Sequence, residues 1–290
     1  MNNLQSRLTK DIWLITILVA FLVALNIGIE QLTNQNITGA EVLLIRSLCN
    51  LIAVFFIAIY TKKSIIPKQP KMQIGVFLCL GLSLLLFYTA YQYISAGSVS
   101  TLQRLDIPVL VLAATFSKKI TWPQILLATF AFILVAVLIF LNKATSESPL
   151  GYIIVLSGVG ILCVNTLLQK KIATLENIQT IIFISSISSF FWAGVRCYQI
   201  HATFSHVRPS SLWVILGLSI INLVIFYIVN HLYKKHQPEV VRYPYLLAAF
   251  LTMVTEMIIA QKLFSPTLII GNTSILLVLT LLVRSRQKTH

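Results

Sequence analysis

Charged residues are scarce in this sequence. Asp, Glu, Lys and Arg together make up 10% of its 290 residues, whereas an ordinary soluble domain carries about 25%. Apolar residues make up 57%, and the mean hydropathy is +0.88. Uncharged apolar runs, each near the ~20 residues that a membrane-spanning helix needs, recur along the chain. The composition excludes a soluble globular domain and predicts a polytopic, all-α membrane protein.

The patterns that catalysis and metal binding require are also missing. The sequence has no glycine-rich phosphate-binding loop, no His-rich cluster, no paired carboxylates and no serine-nucleophile motif, so ATP-driven pumping and enzymatic activity are disfavoured. The four cysteines lack metal-ligand spacing and are interpreted as small buried apolar side chains. We expect no enzyme, no cofactor and no metal site. A polytopic membrane enzyme acting on lipid is the alternative, and a membrane assembly or signalling subunit a third possibility.

Ten apolar runs are long enough to cross a bilayer. They cover approximately residues 11–30, 38–60, 72–94, 97–116, 122–142, 150–169, 177–198, 211–233, 238–260 and 265–283. If the N-terminus is cytoplasmic, fifteen of the 22 Lys and Arg residues lie in cytoplasmic segments and four in the opposite loops. The positive-inside rule then predicts a multi-pass protein of the cell (inner) membrane with both termini in the cytoplasm. Because the net charge of +14 follows the spans, we expect no nucleic-acid partner.

The first three spans resemble spans six to eight when the chain is shifted by 139 residues. Asn26 then aligns with Asn165, and Phe87 with Phe226. Five spans per half is an odd number, so the two halves would enter the membrane in opposite directions. The sequence thus predicts two five-helix inverted-topology repeats, residues 1–143 and 144–290, that form one transmembrane domain. Such repeats are typical of secondary transporters, whose substrate site lies between them near the bilayer midplane.

At the fourth span a shift of 136 residues aligns "RLDIPVL" with "VVRYPYL". Pro108 then meets Pro244, and Asp106 meets Arg242.

The arrangement resembles the EamA-type branch of the drug/metabolite transporter superfamily. The resemblance rests on "LIRSLCNLIAVFF" in the second span, "YQYISAGSVSTLQRLDIPVLVLAATF" in the third and fourth, "SKKITWPQILLATFAFILVAVLI" at the fifth and "QKLFSPTLIIGNTSILLVL" near the end. The Gly-Glu pair that commonly ends the fourth and ninth spans of that family is replaced here by Ser117-Lys118 and Ala260-Gln261. The resemblance implies transport by alternating access, with amino acids or S-adenosylmethionine among the family's substrates.

The fourth span carries Arg104, Asp106 and Pro108 within five residues. A charged residue at the centre of a span costs about 2.5–3.5 kcal/mol, so these residues need partners or a function. Pro108 cannot donate to the carbonyl of Arg104, which predicts a kinked or broken helix at the charges. Asp106 would then pair with Arg242, or with Arg46 as second choice, or would contact the substrate or take up a proton.

Further polar and aromatic residues are candidates for a substrate site. Tyrosines on one helix face would stack on a planar or cationic group, although tyrosines near span ends also form interfacial belts. Buried amides would orient a substrate or hydrogen-bond a neighbouring helix. The predicted substrate-binding residues are Arg104, Asp106, Tyr88, Tyr91, Gln103, Asn26, Asn165, Trp192, Tyr227, Arg242 and Arg46.

These features predict a secondary active transporter of a small organic metabolite. Three intramembrane arginines against one central aspartate favour an anionic or zwitterionic solute. An amino acid or a derivative such as S-adenosylmethionine is favoured, with nucleotide-like metabolites or drugs as alternatives. The expected environment is the lipid bilayer, and the expected assembly is a monomer or homodimer.

Overall fold

The computed structural model describes residues 2–113, 121–141, 148–205, 207–235, 238–260 and 266–287. Within these ranges the chain is helical throughout its regular structure and contains no strand. The helices are α1 (Asn2–Asn34), α2 (Gly39–Thr61), α3 (Pro70–Ala90), α4 (Ala96–Gln103), α5 (Asp106–Ala113), α6 (Trp122–Leu141), α7 (Pro149–Leu175), α8 (Ile178–Gln199), α9 (Pro209–Lys235), α10 (Pro238–Ala260) and α11 (Pro266–Gln287).

The helices are those of a membrane protein. In the described ranges, α2, α3, α7, α8, α9 and the part of α1 from Trp13 are each long and apolar enough to cross a bilayer. Shorter apolar stretches lie in α6, α10 and α11. The all-α prediction is therefore confirmed, and the predicted apolar runs coincide with helices, except that the fourth run holds two short helices, α4 and α5.

Helix α2 begins with a capping box formed by Thr38 and Glu41. The backbone N–H of Thr38 donates to Glu41 Oε2 at 2.8 Å, and the N–H of Glu41 donates to Thr38 Oγ1 at 3.3 Å. This reciprocal capping satisfies two backbone donors that the helix itself leaves without a partner. Glu41 is fully buried, so its carboxylate serves the helix end.

The N-terminal half of the chain packs mainly against the C-terminal half. Helix α2 packs on α8, α3 on α7 and α8, α1 on α9 and α10, α4 on α10, and α6 on α11. Most of the helix–helix core therefore lies between the two halves, and a cavity at this junction is lined from both sides.

Gly81 lets α3 and α8 approach closely. Its N–H donates to Ser188 Oγ at 2.9 Å, and the same hydroxyl donates to the Phe77 carbonyl. A Cβ at position 81 would lie 2.5 Å from the Ser188 carbonyl oxygen, closer than van der Waals contact allows. Small residues permit this kind of backbone approach between membrane helices.

We predict that Gly81→Ala lowers the melting temperature of the detergent-solubilised protein by several degrees, because overpacking typically costs about 1–3 kcal/mol. Gly160→Ala and Gly217→Ala are the matched controls, since a Cβ at either site meets nothing within 4 Å. These controls should leave the melting temperature unchanged or raise it, because alanine favours helix more than glycine does. Equal effects at all three positions would contradict the packing argument.

Candidate functional site

The fourth apolar run is broken where its charges lie. Helix α4 ends at Gln103 and α5 begins at Asp106. The N–H of Ile107 donates to the Arg104 carbonyl at 3.0 Å, the carbonyl that residue 108 would bond in a continuous helix but cannot, since proline has no N–H. The predicted break is present in the structure. Pro244, its counterpart in the shifted alignment, lies inside α10 without ending that helix.

Asp106 is paired with Arg242, the first of the three alternatives given by the sequence. Arg242 Nε lies 3.2 Å from Asp106 Oδ2, and both side chains are buried. The Nε–H is not aligned for a hydrogen bond to the carboxylate, so the contact is an ion pair held by charge. Arg242 Nη2 also donates to Thr166 Oγ1 on α7 at 2.8 Å. The pair joins α5 to α10.

A cavity lies between the two halves of the chain. It leaves about 920 Å³ free of protein atoms, its open side included, and is lined by residues of α1, α2, α3, α4, α7, α9, α10 and the α4–α5 break. Eight of the eleven predicted site residues line it: Asn26, Arg46, Tyr88, Tyr91, Gln103, Arg104, Asn165 and Arg242.

The remaining three predicted residues do not line this cavity. Asp106 is occupied by Arg242. Tyr227 is 55% exposed on α9, while the preceding residue, Phe226, faces the cavity; one position along a helix rotates the side chain by about 100°. Trp192 lies on α8, which contributes no residue to the lining, and packs edge-to-face on Phe191 with ring centroids 5.6 Å apart. Both aromatic predictions are thus corrected.

Sequence reasoning missed Gln169, Asn222 and Tyr245, which also line the cavity. Gln169 lies four residues after Asn165, and Tyr245 three residues after Arg242, spacings that place side chains on one helix face. That spacing is the signal that could have found them. Asn222 lies likewise four residues before Phe226, which lines the cavity. The sequence pattern favoured Tyr227, the residue after Phe226.

Arg46 is held between the two halves of the chain. Its guanidinium lies over the ring of Tyr88, with Cζ 4.8 Å from the ring centroid. Its Nη1 donates to Asn222 Oδ1 on α9 at 3.1 Å. Stacking and a directed hydrogen bond fix the plane of this group.

Arg104 is held in a similar way at the break. Its Cζ lies 4.7 Å from the ring centroid of Tyr245 on α10. Its Nε donates to the Ser100 carbonyl at 3.2 Å and its Nη2 to Gln103 Oε1 at 2.6 Å. The same Tyr245 ring lies 5.1 Å from Cζ of Arg242, so one aromatic ring contacts two guanidinium groups.

Two further hydrogen bonds connect residues around the cavity. Tyr91 donates its hydroxyl to Asn26 Oδ1 at 3.0 Å, and Asn26 Nδ2 donates to Thr252 Oγ1 at 3.3 Å. Helices α1, α3 and α10 are thereby linked, and the Asn26 amide is used for structure.

Several buried polar atoms of the lining residues have no hydrogen-bond partner in the described part of the chain. They are Arg46 Nε, Tyr88 Oη, Arg104 Nη1, Asn165 Nδ2 and Oδ1, Gln169 Nε2, Asn222 Nδ2 and Arg242 Nε, the last of which faces Asp106. A buried polar group without a partner costs roughly 1–3 kcal/mol. The arrangement suits the binding of a polar solute or water, which would supply the missing partners.

Comparison with known proteins identifies the fold alone. Neither a family model nor a curated protein matches the chain. Several solved structures match, and one, described as "Crystal structure of protein", superposes with a TM-score of 0.68 at 12% identity, covering 96% of this chain and 98% of that one. The chain therefore shares its helical fold with a solved structure over nearly its whole length.

We predict that Asp106→Asn lowers the free energy of unfolding by about 3–5 kcal/mol, because it leaves the charge of Arg242 buried without a counter-ion. Adding Arg242→Gln should recover part of this loss. The measurement is heat- or SDS-induced unfolding of the purified variants, analysed as a double-mutant cycle.

Arg46→Gln is the matched second substitution, since Arg46 forms no salt bridge with the side chains that the structure describes. Its effect should add to that of Asp106→Asn without recovery. Equal recovery by both arginine substitutions would contradict the pairing.

Proposed function

We propose that this protein is a secondary active transporter that moves a small organic solute, anionic or zwitterionic, across the cell (inner) membrane by alternating access. The observation that carries the proposal is the arginine-lined cavity between the two halves of an apolar helical chain. Intramembrane ionisable residues facing a cavity typically mark a substrate pathway.

The helix positions support two five-helix repeats, residues 1–143 and 144–290. Helices α8 and α9 begin at Ile178 and Pro209, each 139 residues after the starts of α2 and α3 at Gly39 and Pro70. The packing between helices is also preserved when the halves are exchanged: α3 on α7 corresponds to α9 on α1, and α3 on α8 to α9 on α2.

Residues lining the cavity follow the same relation. Asn26 and Asn165 both face it, as do Phe87 and Phe226, and each pair is separated by 139 positions. With an odd number of spans per half, the repeats have opposite orientations, and the substrate site lies on the pseudo-twofold axis.

Two carboxylates join the halves away from the cavity. Glu256 Oε2 accepts the N–H of Gly97 at the start of α4 at 2.6 Å. Glu176 Oε1 accepts the N–H of Gln69, just before α3, at 2.7 Å. In the proposed topology, with both termini cytoplasmic, Glu256 lies near the outer face and Glu176 near the cytoplasmic face. Rocking of one half against the other would break these contacts alternately and open the cavity to one side at a time.

The lining favours a solute with a carboxylate or phosphate group, as amino acids, S-adenosylmethionine and nucleotide-like metabolites have. Arginine binds both groups with paired hydrogen bonds. The faces of Tyr88 and Tyr245 already contact guanidinium groups, so these rings offer less to a cationic part of the solute than their sequence spacing suggested.

We predict that proteoliposomes containing the protein exchange a radiolabelled solute from a panel of amino acids, S-adenosylmethionine and nucleotides in a counterflow assay. Arg104→Gln should reduce exchange at least about tenfold, because it removes a charged hydrogen-bond donor from the cavity.

Arg196→Gln is the matched control, since Arg196 is exposed at the end of α8 and should exchange as the wild type does. Absence of exchange with the whole panel, together with turnover of a lipid substrate, would overturn the proposal in favour of a membrane enzyme.

We also predict the orientation of the chain in the membrane. In a variant whose four cysteines are replaced by serine, Lys62→Cys should react with a membrane-impermeant thiol reagent only from the cytoplasmic side, and Gln199→Cys only from the outside. Both positions are exposed at helix ends. The measurement is labelling of intact cells against inverted membrane vesicles. Labelling of both positions from one side would contradict the proposed topology.

A further inference from the structure

The charges around the cavity do not balance. Three arginines line it, and no aspartate or glutamate is found among the lining residues that the structure describes. Asp106, behind the lining, neutralises Arg242. Arg46 and Arg104 form no salt bridge with any side chain in the described ranges. Two positive charges thus face one apolar-walled cavity, and each is costly at membrane depth without a counter-ion.

Most polar atoms of the lining residues that have no hydrogen-bond partner in the described part of the chain are donors, which also favours a negatively charged ligand. Five are donors, on Arg46, Arg104, Asn165, Gln169 and Asn222, and a sixth donor, Arg242 Nε, faces Asp106. Asn165 Oδ1 is an acceptor, and the Tyr88 hydroxyl can donate or accept. Ionised carboxylates and phosphates are acceptors, so they match this mainly donating set. An ammonium group has three donors and no acceptor. It would meet one amide oxygen, one hydroxyl and no carboxylate, while the aromatic faces beside it are already occupied.

Both uncompensated arginines are preorganised, and each is held by the opposite half of the chain. Asn222 of α9 fixes Arg46, and Tyr245 of α10 fixes Arg104. Donors whose directions are set before binding lose little entropy when a ligand arrives. An anion bound here would contact the first half through its arginines and the second half through the amides of Asn165, Gln169 and Asn222.

We infer that the cavity binds a solute carrying two negative charges on oxygen, as in a phosphate monoester or a dicarboxylate, between Arg46 and Arg104. The inferred dianion is a narrower class of solute than the anionic or zwitterionic class proposed above. Its role as the transported solute rests on the proposed transport function. Monoanions leave one arginine without a counter-ion, and zwitterionic amino acids bring a cation that the lining cannot pair.

The first test uses sulfate, a tetrahedral dianion, against methanesulfonate, a monoanion of similar shape. Thermal unfolding of the purified protein is followed at equal ionic strength with increasing concentrations of each anion. We expect sulfate to raise the melting temperature of the wild type and of Arg196→Gln more than methanesulfonate does. In Arg46→Gln and in Arg104→Gln the apparent sulfate affinity should fall about tenfold or more, because each loses a charged donor. Arg46→Lys and Arg104→Lys, which retain the charge, serve where a glutamine variant fails to fold, and should keep the preference for sulfate.

A sulfate response that is the same in the wild type and both arginine variants would overturn the inference, as would a response no larger than that to methanesulfonate. General salt effects on stability act on all variants alike, and Arg196→Gln measures them.

The second test separates this inference from transport itself. Counterflow exchange in proteoliposomes compares two dianions, glycerol phosphate and succinate, with succinamate, a monoanion, and serine, a zwitterion. Exchange of either dianion at least about tenfold faster than that of succinamate and serine supports both proposals. Exchange of succinamate or serine without either dianion overturns the dianion site while transport stands. Arginine-dependent sulfate binding without exchange of any solute supports the dianion site and overturns the transport function.

Discussion

A charge buried at membrane depth is costly unless it is paired, and the Asp106–Arg242 contact meets that constraint for the two charges it joins. Their 3.2 Å separation fixes α5 against α10 at the point where the fourth apolar run is broken. Because the aspartate is used there, it does not neutralise Arg46 or Arg104, and those two remain without a counter-ion among the described side chains. The contact of α5 with α10 and the electrostatic character of the site therefore depend on one ion pair.

Several acidic side chains of this chain serve its architecture. The sequence has eight Asp and Glu residues. Glu41 caps α2, Glu256 receives the N–H of Gly97 at the start of α4, and Glu176 receives the N–H of Gln69 ahead of α3. Carboxylates are favoured at helix N-termini because of the unpaired backbone N–H groups and the helix dipole. Glu41, Glu176 and Glu256 are all buried.

The sequence was sufficient for features that depend on local chemistry. Apolar runs indicate the helices, and Pro108 indicates the break. For Asp106 the sequence leaves several alternatives open, and the structure shows the pair with Arg242. The lining of the cavity depends instead on how each helix is rotated about its axis, which packing against other helices decides. The sequence pattern therefore favours Tyr227 as a site residue, although Phe226 is the one that faces the cavity. It also favours Trp192, which lies on a helix that contributes no described residue to the lining. Gln169 and Asn222 were missed for the same reason, since polar residues in an apolar helix are informative only once their face is known.

The centroid of the Tyr245 ring lies within 5.1 Å of the guanidinium carbon of both Arg104 and Arg242. Both arginines line the cavity, but only Arg242 is paired with Asp106. Tyr245 and Arg242 lie three residues apart on α10, so a movement of that helix displaces the ring and the ion pair together. Such a movement would also change the contact between the ring and Arg104, so the position of α10 couples the ion pair to an arginine that has no counter-ion in the described part of the chain.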